Sequence, residues 1–327
     1  MTPSTPAPVL VVGDANIDLI LRGDVVPRFG QVEQLIERAD AVLGGSGAIV
    51  AAGLARLGVP VSLVAVVGDD AFGVMTLEYL RWVGVDTAHV RVVGEPTALS
   101  VILSAPGDRA ILTLLGALPS LTAVESIAAV ADTRPRWVHA ASPFLTGSAG
   151  WLPELFAAAH DGGAGTSLDT NWDPAEGWAG VAKALAGTDV LLPNRAELLA
   201  LAGAIVGDPA AGEAAPEDPA RALAALGPRV VVKDGAEGGF SLDRHGRAAA
   251  ARGLLAEVVD TTGAGDSFDA GYLAAIAHGI DTERERLAWA AATGSMSVQA
   301  AGGTSGQPSL VELREALRTA SPQVHAP

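Results

Sequence analysis

The chain has 327 residues, 49% of them hydrophobic, and its 37 acidic and 21 basic side chains give a formal net charge of −16. That length accommodates one large α/β domain or two ordinary ones, and the negative charge argues against sequence-independent binding of DNA or RNA. Because the sequence contains no cysteine, it excludes disulfide bonds, a thiolate nucleophile and a cysteine-ligated zinc site.

The segment Met1–Pro8 has neither the basic start nor the apolar core of a secretory signal peptide. It is predicted to be a short disordered tail, and the protein is predicted to be cytoplasmic. No apolar run reaches the length of about 18 residues that a membrane-spanning helix needs. The sequence therefore predicts a protein that does not contact a membrane.

Short β-rich runs alternate with Ala- and Leu-rich segments whose apolar residues have helical spacing. This alternation is typical of an α/β fold with a mostly parallel sheet flanked by helices. The predicted strands are Val9–Val12, Ser62–Val67, Trp137–Ala140, Thr166–Asp169, Val190–Pro193 and Arg229–Lys233. The predicted helices are Ala48–Leu57, Phe72–Val83, Leu152–Ala159, Arg195–Leu201, Pro219–Leu226, Ala264–Ala277 and Glu283–Gln299.

Two stretches interrupt the alternation, at about residues 17–42 and 97–114, and are predicted to be hairpins outside the main sheet. The second has β-prone arms around a Pro106-Gly107-Asp108 turn. An acidic segment rich in Pro and Ala, from Gly207 to Pro219, is predicted to be a surface loop that leads into a helix.

Polar residues follow the first predicted strand, where Asn16 and Asp18 would lie at the carboxyl edge of the sheet. Open α/β sheets bind ligands at that edge, although a polar loop that merely ends a strand has the same composition. Downstream, Gly44, Gly45 and Ser46 begin another predicted helix. His139 and Asn171 also follow predicted strands and are secondary candidates.

Asn194 and Glu197 lie where a predicted strand gives way to a helix. The pair matches a capping box, and an amide with a carboxylate also suits Mg²⁺ shared with phosphate oxygens, so both roles stay open. Further along, Lys233 precedes a loop containing Gly235 and Gly238. These glycines allow close approach of a ligand, but a plain glycine-rich hairpin would look the same.

The segment 260–273 reads DTTGAGDSFDAGYL, a glycine-broken turn that leads into an apolar helix. Gly263 and Gly265 permit a tight turn, so the amides of Ala264, Gly265 and Asp266 can converge on an anion at the positive helix end. Asp266 would then lie beside the place where that anion is transferred. The alternative is that Asp266 only caps the first helical turn.

This segment resembles the C-terminal signature of the PfkB carbohydrate kinases, the ribokinase-like family, and other segments follow the family in order from about Val9 to Leu310. The resemblance implies a three-layer α/β/α sandwich with a mostly parallel central sheet. It also implies a single kinase domain over residues 9–320, with the two hairpins as a small β lid and part of a homodimer contact. Peripheral hairpins without a gating role are the alternative.

The resemblance further implies an ATP-dependent kinase that transfers the γ-phosphoryl group to a hydroxyl of a sugar or sugar derivative. Asp266 would be the base, and the amides of Gly263, Ala264 and Gly265 would form an anion hole. By the same resemblance, substrate binding falls to Asn16, Asp18, Gly44, Gly45 and Ser46, ATP binding to Asn194, Lys233, Gly235 and Gly238, magnesium to Asn194 and Glu197, and a monovalent cation such as potassium to Asp260.

One residue departs from the family pattern: Ile49 stands where the family usually has a sugar-binding Asn, which predicts a changed choice of acceptor. A nucleoside kinase of the same fold is therefore one alternative. A non-catalytic protein that binds sugars or nucleotides is another, which the retained Asp266 and Glu197 disfavour. A Rossmann dehydrogenase is disfavoured because no G-x-G-x-x-G follows the first strand.

Overall fold

Strands and helices alternate along most of the chain in the computed structural model, which describes residues 5–105, 108–207 and 217–320. The strands are β1 (Val9–Val12), β2 (Asn16–Arg22), β3 (Arg38–Gly44), β4 (Val61–Gly68), β5 (Val90–Val93), β6 (Leu99–Ala105), β7 (Asp108–Leu114), β8 (Trp137–Ala141), β9 (Gly165–Asp169), β10 (Val190–Leu191), β11 (Arg229–Lys233), β12 (Gly239–Leu242) and β13 (Ala248–Ala251). The helices are α1 (Ser46–Arg56), α2 (Ala71–Val83), α3 (Ala123–Thr133), α4 (Pro143–Thr146), α5 (Leu152–Asp161), α6 (Val181–Leu185), α7 (Arg195–Val206), α8 (Glu217–Ala224), α9 (Ala264–Ala277), α10 (Glu283–Ser297) and α11 (Leu310–Ala320).

A nine-stranded sheet forms the centre of the fold, in the order β13-β12-β11-β10-β9-β8-β1-β4-β5. Neighbours from β11 to β5 pair in parallel, whereas β12 and β13 are added antiparallel at one end. All the strands predicted for the alternating part of the chain belong to this sheet. Its parallel strands therefore end at one edge, where their connecting loops gather.

Side chains on the two faces of the sheet enter different hydrophobic cores. Leu10 and Val12 of β1 pack in one core with Phe156 of α5, while Val9 and Val11 pack in the other with helices α1 and α9. The alternation follows from the two-residue period of a strand, and each fully buried apolar side chain contributes roughly 1.5–3 kcal/mol. Helices thus cover both faces, and the predicted three-layer α/β/α sandwich is confirmed.

A second, smaller sheet has the strand order β3-β2-β6-β7. Strands β2 and β3 pair antiparallel, as do β6 and β7, and the two hairpins join through a parallel pairing of β2 with β6. These strands lie at the two stretches predicted to leave the main sheet. The predicted turn residues Pro106 and Gly107 lie outside the described residues, and the lid function of this sheet stays a prediction.

Several element boundaries differ from the predictions for physical reasons. Strand β10 ends at Leu191 and not at Pro193, since proline has no amide hydrogen for a ladder. Helix α7 extends beyond the predicted Leu201 to Val206, because Ala202 and Ile205 still pack against the core. The prediction omitted β5, β12, β13 and the helices α3, α4, α6 and α11.

Two of the predicted segments lie partly outside the described residues. Residues 1–4 of the predicted tail and residues 208–216 of the predicted acidic loop lie outside the described residues. Within the described part, Ala7 donates a backbone hydrogen bond to Ala277, and Pro8 accepts one from Arg136. Across the described ranges, no helix combines the length and apolar character needed to cross a membrane.

Candidate active site

Helix α9 begins with a tight turn, residues 263–266, which we call the α9 turn. Gly263 is the N-cap residue and has a φ of 70°, and a Cβ atom on it would lie 2.5 Å from the Cα of Gly303. Only glycine fits this left-handed, closely packed position. The turn therefore brings residue 303, from the loop after α10, directly against the start of α9.

The amides of the α9 turn differ in whether they already have a hydrogen-bond acceptor. The amide of Ala264 donates to the carbonyl of Thr261 at 3.2 Å, so it is already paired within the loop. The amides of Gly265 and Asp266 lie in the first helical turn, where a helix supplies no acceptor of its own. These two amides, at the positive end of the helix dipole, are the best candidates for an anion.

The Asp266 carboxylate reaches from the α9 turn to the opposite side of the site. The hydroxyl of Ser46, the first residue of α1, donates to Asp266 Oδ1 at 2.5 Å. Burial raises the pKa of Asp266 to about 6 and the nearby Asp169 carboxylate adds to the rise, while Ser46 and the Lys233 ammonium oppose it. The pKa of Asp266 thus lies close to neutral pH.

Asn16 and Asp18 lie on β2, paired with the glycine-containing end of β3. The Asn16 amide donates to Asp18 Oδ1 at 2.9 Å, and burial raises the pKa of Asp18 to about 7. A Cβ on Gly44 would lie 2.2 Å from Asp18 Oδ1, and one on Gly45 would lie 2.9 Å from Asn16 Oδ1. The missing side chains at 44 and 45 therefore make room for the two polar side chains predicted to bind substrate.

Asp14 is a third carboxylate in this region, and it is absent from the predicted site residues. It is 3% exposed, accepts a hydrogen bond from the Gly47 amide at 2.9 Å, and has a pKa raised by burial. Its position two residues after β1 is the same signal that pointed to Asn16. The acceptor side of the site consequently contains one more carboxyl group than the sequence predicts.

Asn194 and Glu197 form a complete capping box at the start of α7. The Glu197 amide donates to Asn194 Oδ1 at 2.9 Å, and the Asn194 amide donates to Glu197 Oε2 at 2.8 Å. Burial, and next the Asp169 carboxylate, raise the pKa of Glu197 to about 7. Glu197 Oε1 accepts none of the hydrogen bonds found in the described ranges, so the structural role leaves one oxygen for a metal.

Lys233 lies at the end of β11, and its ammonium group is held between two buried carboxylates. Nζ donates to Asp169 at 2.7 Å and to Asp269 at 3.1 Å, and both acids are fully buried. Burial opposes the charged form of Lys233, but the two carboxylates outweigh it and raise the pKa of Lys233. The charge predicted to reach an ATP phosphate is thus balanced inside the protein.

Asp269 is the second acid that is absent from the predicted site residues. It follows Asp266 by three residues on α9, a spacing that places both on one face of the helix. One carboxylate oxygen each from Asp169, Asp266 and Asp269 lies within 4.8 Å of the others. Because Lys233 already binds two of these acids, the cluster is better described as an internal ion network than as a metal site.

The loop after β11 has a short helical turn at Gly235–Glu237. Gly235 has a φ of 56° and open space around it, whereas a Cβ on Gly238 would lie 2.3 Å from the carbonyl oxygen of Ala251. Gly238 is therefore needed for packing against β13, and Gly235 leaves the loop surface accessible. Both remain candidates for ATP binding.

Asp260 lies just before the α9 turn and contacts the small sheet. Its Oδ2 atom is 2.8 Å from Nη2 of Arg22 on β2 and accepts the Gly302 amide at 3.0 Å. Its Oδ1 atom accepts the amide and the hydroxyl of Thr262 at 3.0 and 2.8 Å. Burial opposes ionisation, but these hydrogen bonds and the Arg22 charge lower the pKa of Asp260.

The two secondary candidates have structural partners. His139 is fully buried, bonds to Ser167 through Nδ1 at 2.9 Å, and has a pKa lowered to about 4 by burial. It is therefore neutral at physiological pH. Asn171 accepts hydrogen bonds from the amide and hydroxyl of Ser142, which ties together the loops after β8 and β9.

Comparisons with known proteins extend over nearly the whole chain. A sequence model described as pfkB family carbohydrate kinase matches residues 7–310. The ribokinase of Bacillus subtilis is 34% identical over 115 residues, 35% of this chain and 39% of that protein. The ATP-dependent ribose-1-phosphate kinase of Halopiger xanaduensis is 32% identical over 198 residues, 59% of this chain and 63% of that protein. Both alignments span less than two thirds of the relative's length.

Solved structures superimpose over a larger share of the chain. Ribokinase from Arabidopsis thaliana, complexed with ribose and ATP, gives a TM-score of 0.81 at 27% identity and covers 96% of this chain and 99% of its own. Ribokinase from Thermotoga maritima gives a TM-score of 0.79 at 23% identity, with 95% and 99% covered. The predicted ribokinase-like fold is confirmed by these superpositions.

Proposed function

Because the chain belongs to the pfkB family of carbohydrate kinases, we propose that it transfers the γ-phosphoryl group of ATP to a hydroxyl of a sugar or sugar derivative. The observation that carries the proposal is the position of Asp266. Its carboxylate lies in the α9 turn and is within hydrogen-bond distance of a hydroxyl from the opposite loop, that of Ser46. The site thus holds a base against a hydroxyl at the positive end of a helix.

In this proposal, Asp266 accepts the proton of the acceptor hydroxyl. The acceptor oxygen forms a bond to the γ-phosphorus while the bond from that phosphorus to the bridging oxygen of ADP breaks. A pKa of about 6 keeps Asp266 ionised at neutral pH and still basic enough to take up the proton. The amides of Gly265 and Asp266 stabilise negative charge on the transferred group, and Gly263 and Ala264 shape the turn that presents them.

Glu197 is the residue best suited to a magnesium ion. Its buried carboxylate has one oxygen in the helix cap and a pKa of about 7, so a divalent cation beside it would restore the ionised form. Asn194 fixes the cap and with it the position of Glu197. Bound there with ATP, Mg²⁺ would neutralise charge on the phosphates.

For the nucleotide, we propose that ATP lies along the loop after β11, near Gly235 and Gly238. Lys233 acts below this loop as an internal counter-charge, because its ammonium is bound by Asp169 and Asp269. Its charge still lowers the proton affinity of Asp266. Lys233 therefore contributes through the ion network.

The acceptor is proposed to be a neutral polyhydroxyl compound bound by Asn16, Asp18 and the backbone of residues 44–46. Asp14, Asp18 and Asp266 place three carboxyl groups on this side, which suit the hydroxyl groups of an acceptor better than a phosphate or a carboxylate. Ile49, which is 3% exposed, lies against Gly303 in the loop after α10, and its side chain offers an acceptor no hydrogen bond. A sugar recognised mainly from the Asp18 side fits this arrangement.

We also propose that the small sheet closes over the acceptor and mediates a homodimer in the cytoplasm. Its outer strand β7 and the residues after it expose apolar side chains, namely Ile111, Leu112, Leu114 and Leu115. Apolar side chains clustered on one exposed strand favour burial against a partner. Light scattering of the purified protein at several concentrations tests the dimer directly.

The kinase is tested by ADP release from Mg-ATP with a panel of acceptors. The panel contains neutral pentoses and hexoses, ribose 1-phosphate, other sugar phosphates, sugar acids and nucleosides. We expect turnover with a neutral sugar, and Asp266→Asn should lower it by roughly 10²–10⁴ while ATP binding persists. Turnover only with a nucleoside would replace the acceptor class, and normal turnover in Asp266→Asn would refute the base.

A further inference from the structure

The family resemblance predicts a monovalent cation at Asp260, and the contacts of its carboxylate test that prediction. A carboxylate offers about four lone-pair sites. Oδ1 accepts the amide and hydroxyl of Thr262, and Oδ2 accepts the Gly302 amide and Nη2 of Arg22. All four sites are used by protein donors, so this carboxylate does not fit a further cation.

Arg22 brings a full positive charge to this position. The ion-paired side chains of Arg22 and Asp260 are 24% and 12% exposed, and the second arm of the guanidinium binds Asp40 of β3 at 2.8 Å. A guanidinium stays protonated at every physiological pH, and its planar fork holds two carboxylates in a fixed geometry. The charge on Asp260 is therefore neutralised without an ion from solution.

From Asp260, hydrogen bonds lead to both segments that shape the α9 turn. The carboxylate fixes Thr262, next to Gly263, and also Gly302, next to Gly303. A Cβ on Gly263 would lie 2.5 Å from the Cα of Gly303, so these two segments are packed directly against each other. The position of Arg22 thus bears on the geometry of the turn that carries Asp266.

We infer that Arg22, a residue of the small sheet, takes the place of a monovalent cation at Asp260 and makes the protein independent of potassium. Arg22 is a positioning residue, since it acts through Asp260 on the α9 turn. The inference on activity rests on the proposed kinase function, whereas the inference on cation binding does not.

The experiment compares the wild-type chain, Arg22→Met and Arg38→Met. Arg38 pairs with Asp40 in the same sheet, opposite Arg22 in the strand register, and has no contact with Asp260 among the described residues, so it is the matched control. The first readout is the thermal unfolding midpoint without nucleotide or sugar, in potassium, sodium or tetramethylammonium chloride at equal ionic strength. The second is turnover in the same salts, with and without millimolar guanidinium.

We expect the wild-type chain and Arg38→Met to unfold at the same temperature in all three salts and to turn over equally. In Arg22→Met, Asp260 has lost its counter-charge, so potassium should raise the midpoint more than tetramethylammonium does. Its kcat should fall by about tenfold, with a smaller change in KM for ATP, and the small cations should restore part of it.

Potassium-specific stabilisation or activation of the wild-type chain would overturn the inference. So would an Arg22→Met variant that behaves like Arg38→Met in every salt, because Arg22 would then be an ordinary surface ion pair. If no acceptor supports turnover at all, the kinase proposal fails, yet the unfolding midpoints still decide whether Asp260 binds a cation. The two failures are therefore distinguishable.

Discussion

The hydroxyl of Ser46 donates a 2.5 Å hydrogen bond to the carboxylate of Asp266, although the two residues are 220 positions apart. Ser46 begins α1 and Asp266 lies in the first turn of α9, so the contact joins the starts of two helices across the site. Because the hydroxyl is a donor, it favours the ionised carboxylate. The proton affinity of the proposed base is therefore set partly by a residue of the acceptor side.

Removing that hydroxyl should shift the pH dependence of the reaction. In the wild-type chain, kcat/KM is expected to fall as the pH drops through about 6, since protonated Asp266 is not a base. Ser46→Ala removes a bond that lowers the pKa of Asp266, so the acid limb should move to higher pH. Kinetic pH profiles of both proteins measure this, with Ser126→Ala, a buried serine on α3, as the control. An unmoved acid limb in Ser46→Ala would mean that another group titrates.

Glu197→Gln should separate the helix cap from the metal role. Glutamine keeps the geometry of a capping box but carries no charge, so stability should change little while the magnesium concentration for half-maximal turnover rises. Asn194→Ala removes the cap acceptor and should cost about 1 kcal/mol of stability. Denaturant unfolding and magnesium titration of both variants test the difference. Equal magnesium requirements in Glu197→Gln and the wild-type chain would contradict the metal role.

Asp18 should make the protein less stable as the pH rises. Its pKa is about 7 in the folded state, above the ordinary value of 3.8, so the folded chain binds more protons than the unfolded chain between these values. Its contribution is present below about pH 4 and is lost as the pH rises through about 7. Asp18→Asn should remove a slope worth roughly 1–4 kcal/mol across this range. Urea unfolding from pH 4.5 to 8 measures it, with the exposed Asp161→Asn as the control, and an unchanged slope would exclude Asp18.

Lys233→Met should destabilise the fold strongly. Burial opposes ionisation of Asp169, and Lys233 supplies the counter-charge that lowers the pKa of that carboxyl, so the variant would leave Asp169 buried without it. Breaking a buried pair by removing one partner costs about 3–5 kcal/mol. The double variant Lys233→Met with Asp169→Asn should recover part of that loss. The exposed Lys183→Met is a matched control for loss of a lysine. If Lys233→Met kept full stability and only raised KM for ATP, direct contact with a phosphate would be the better explanation.

The fold was largely predictable because its signals are local. The alternation of β-rich and helical segments gave the core strands, and the Asn194 and Glu197 spacing marked the start of α7. Two omitted helices carry comparable signals: Thr122 accepts from the Glu125 amide at the start of α3, and Glu312 bonds Ser309 at the start of α11. The starts of α3 and α11 are therefore marked by local signals of the same kind.

The site was predictable where its residues end strands or start helices, and less so where distant residues meet. Lys233 lies 64 positions from Asp169 and 36 from Asp269, and Arg22 lies 238 positions from Asp260. Such pairs form because the fold brings separate loops together, and no local spacing in the sequence indicates them. The sequence accordingly suggested free charges at Lys233 and Asp260, whereas the fold pairs both.

Strand β2 carries the substrate residues Asn16 and Asp18 and also Arg22, at alternate positions along one strand. Residues at even intervals share one face, so these side chains point the same way over a length of about 20 Å. A one-residue insertion between Asp18 and Arg22 would turn the guanidinium to the opposite face and leave Asp260 without it. The number of positions from Asp18 to Arg22 must therefore stay even. Gaining or losing a single residue would uncouple acceptor recognition from the α9 turn in one step.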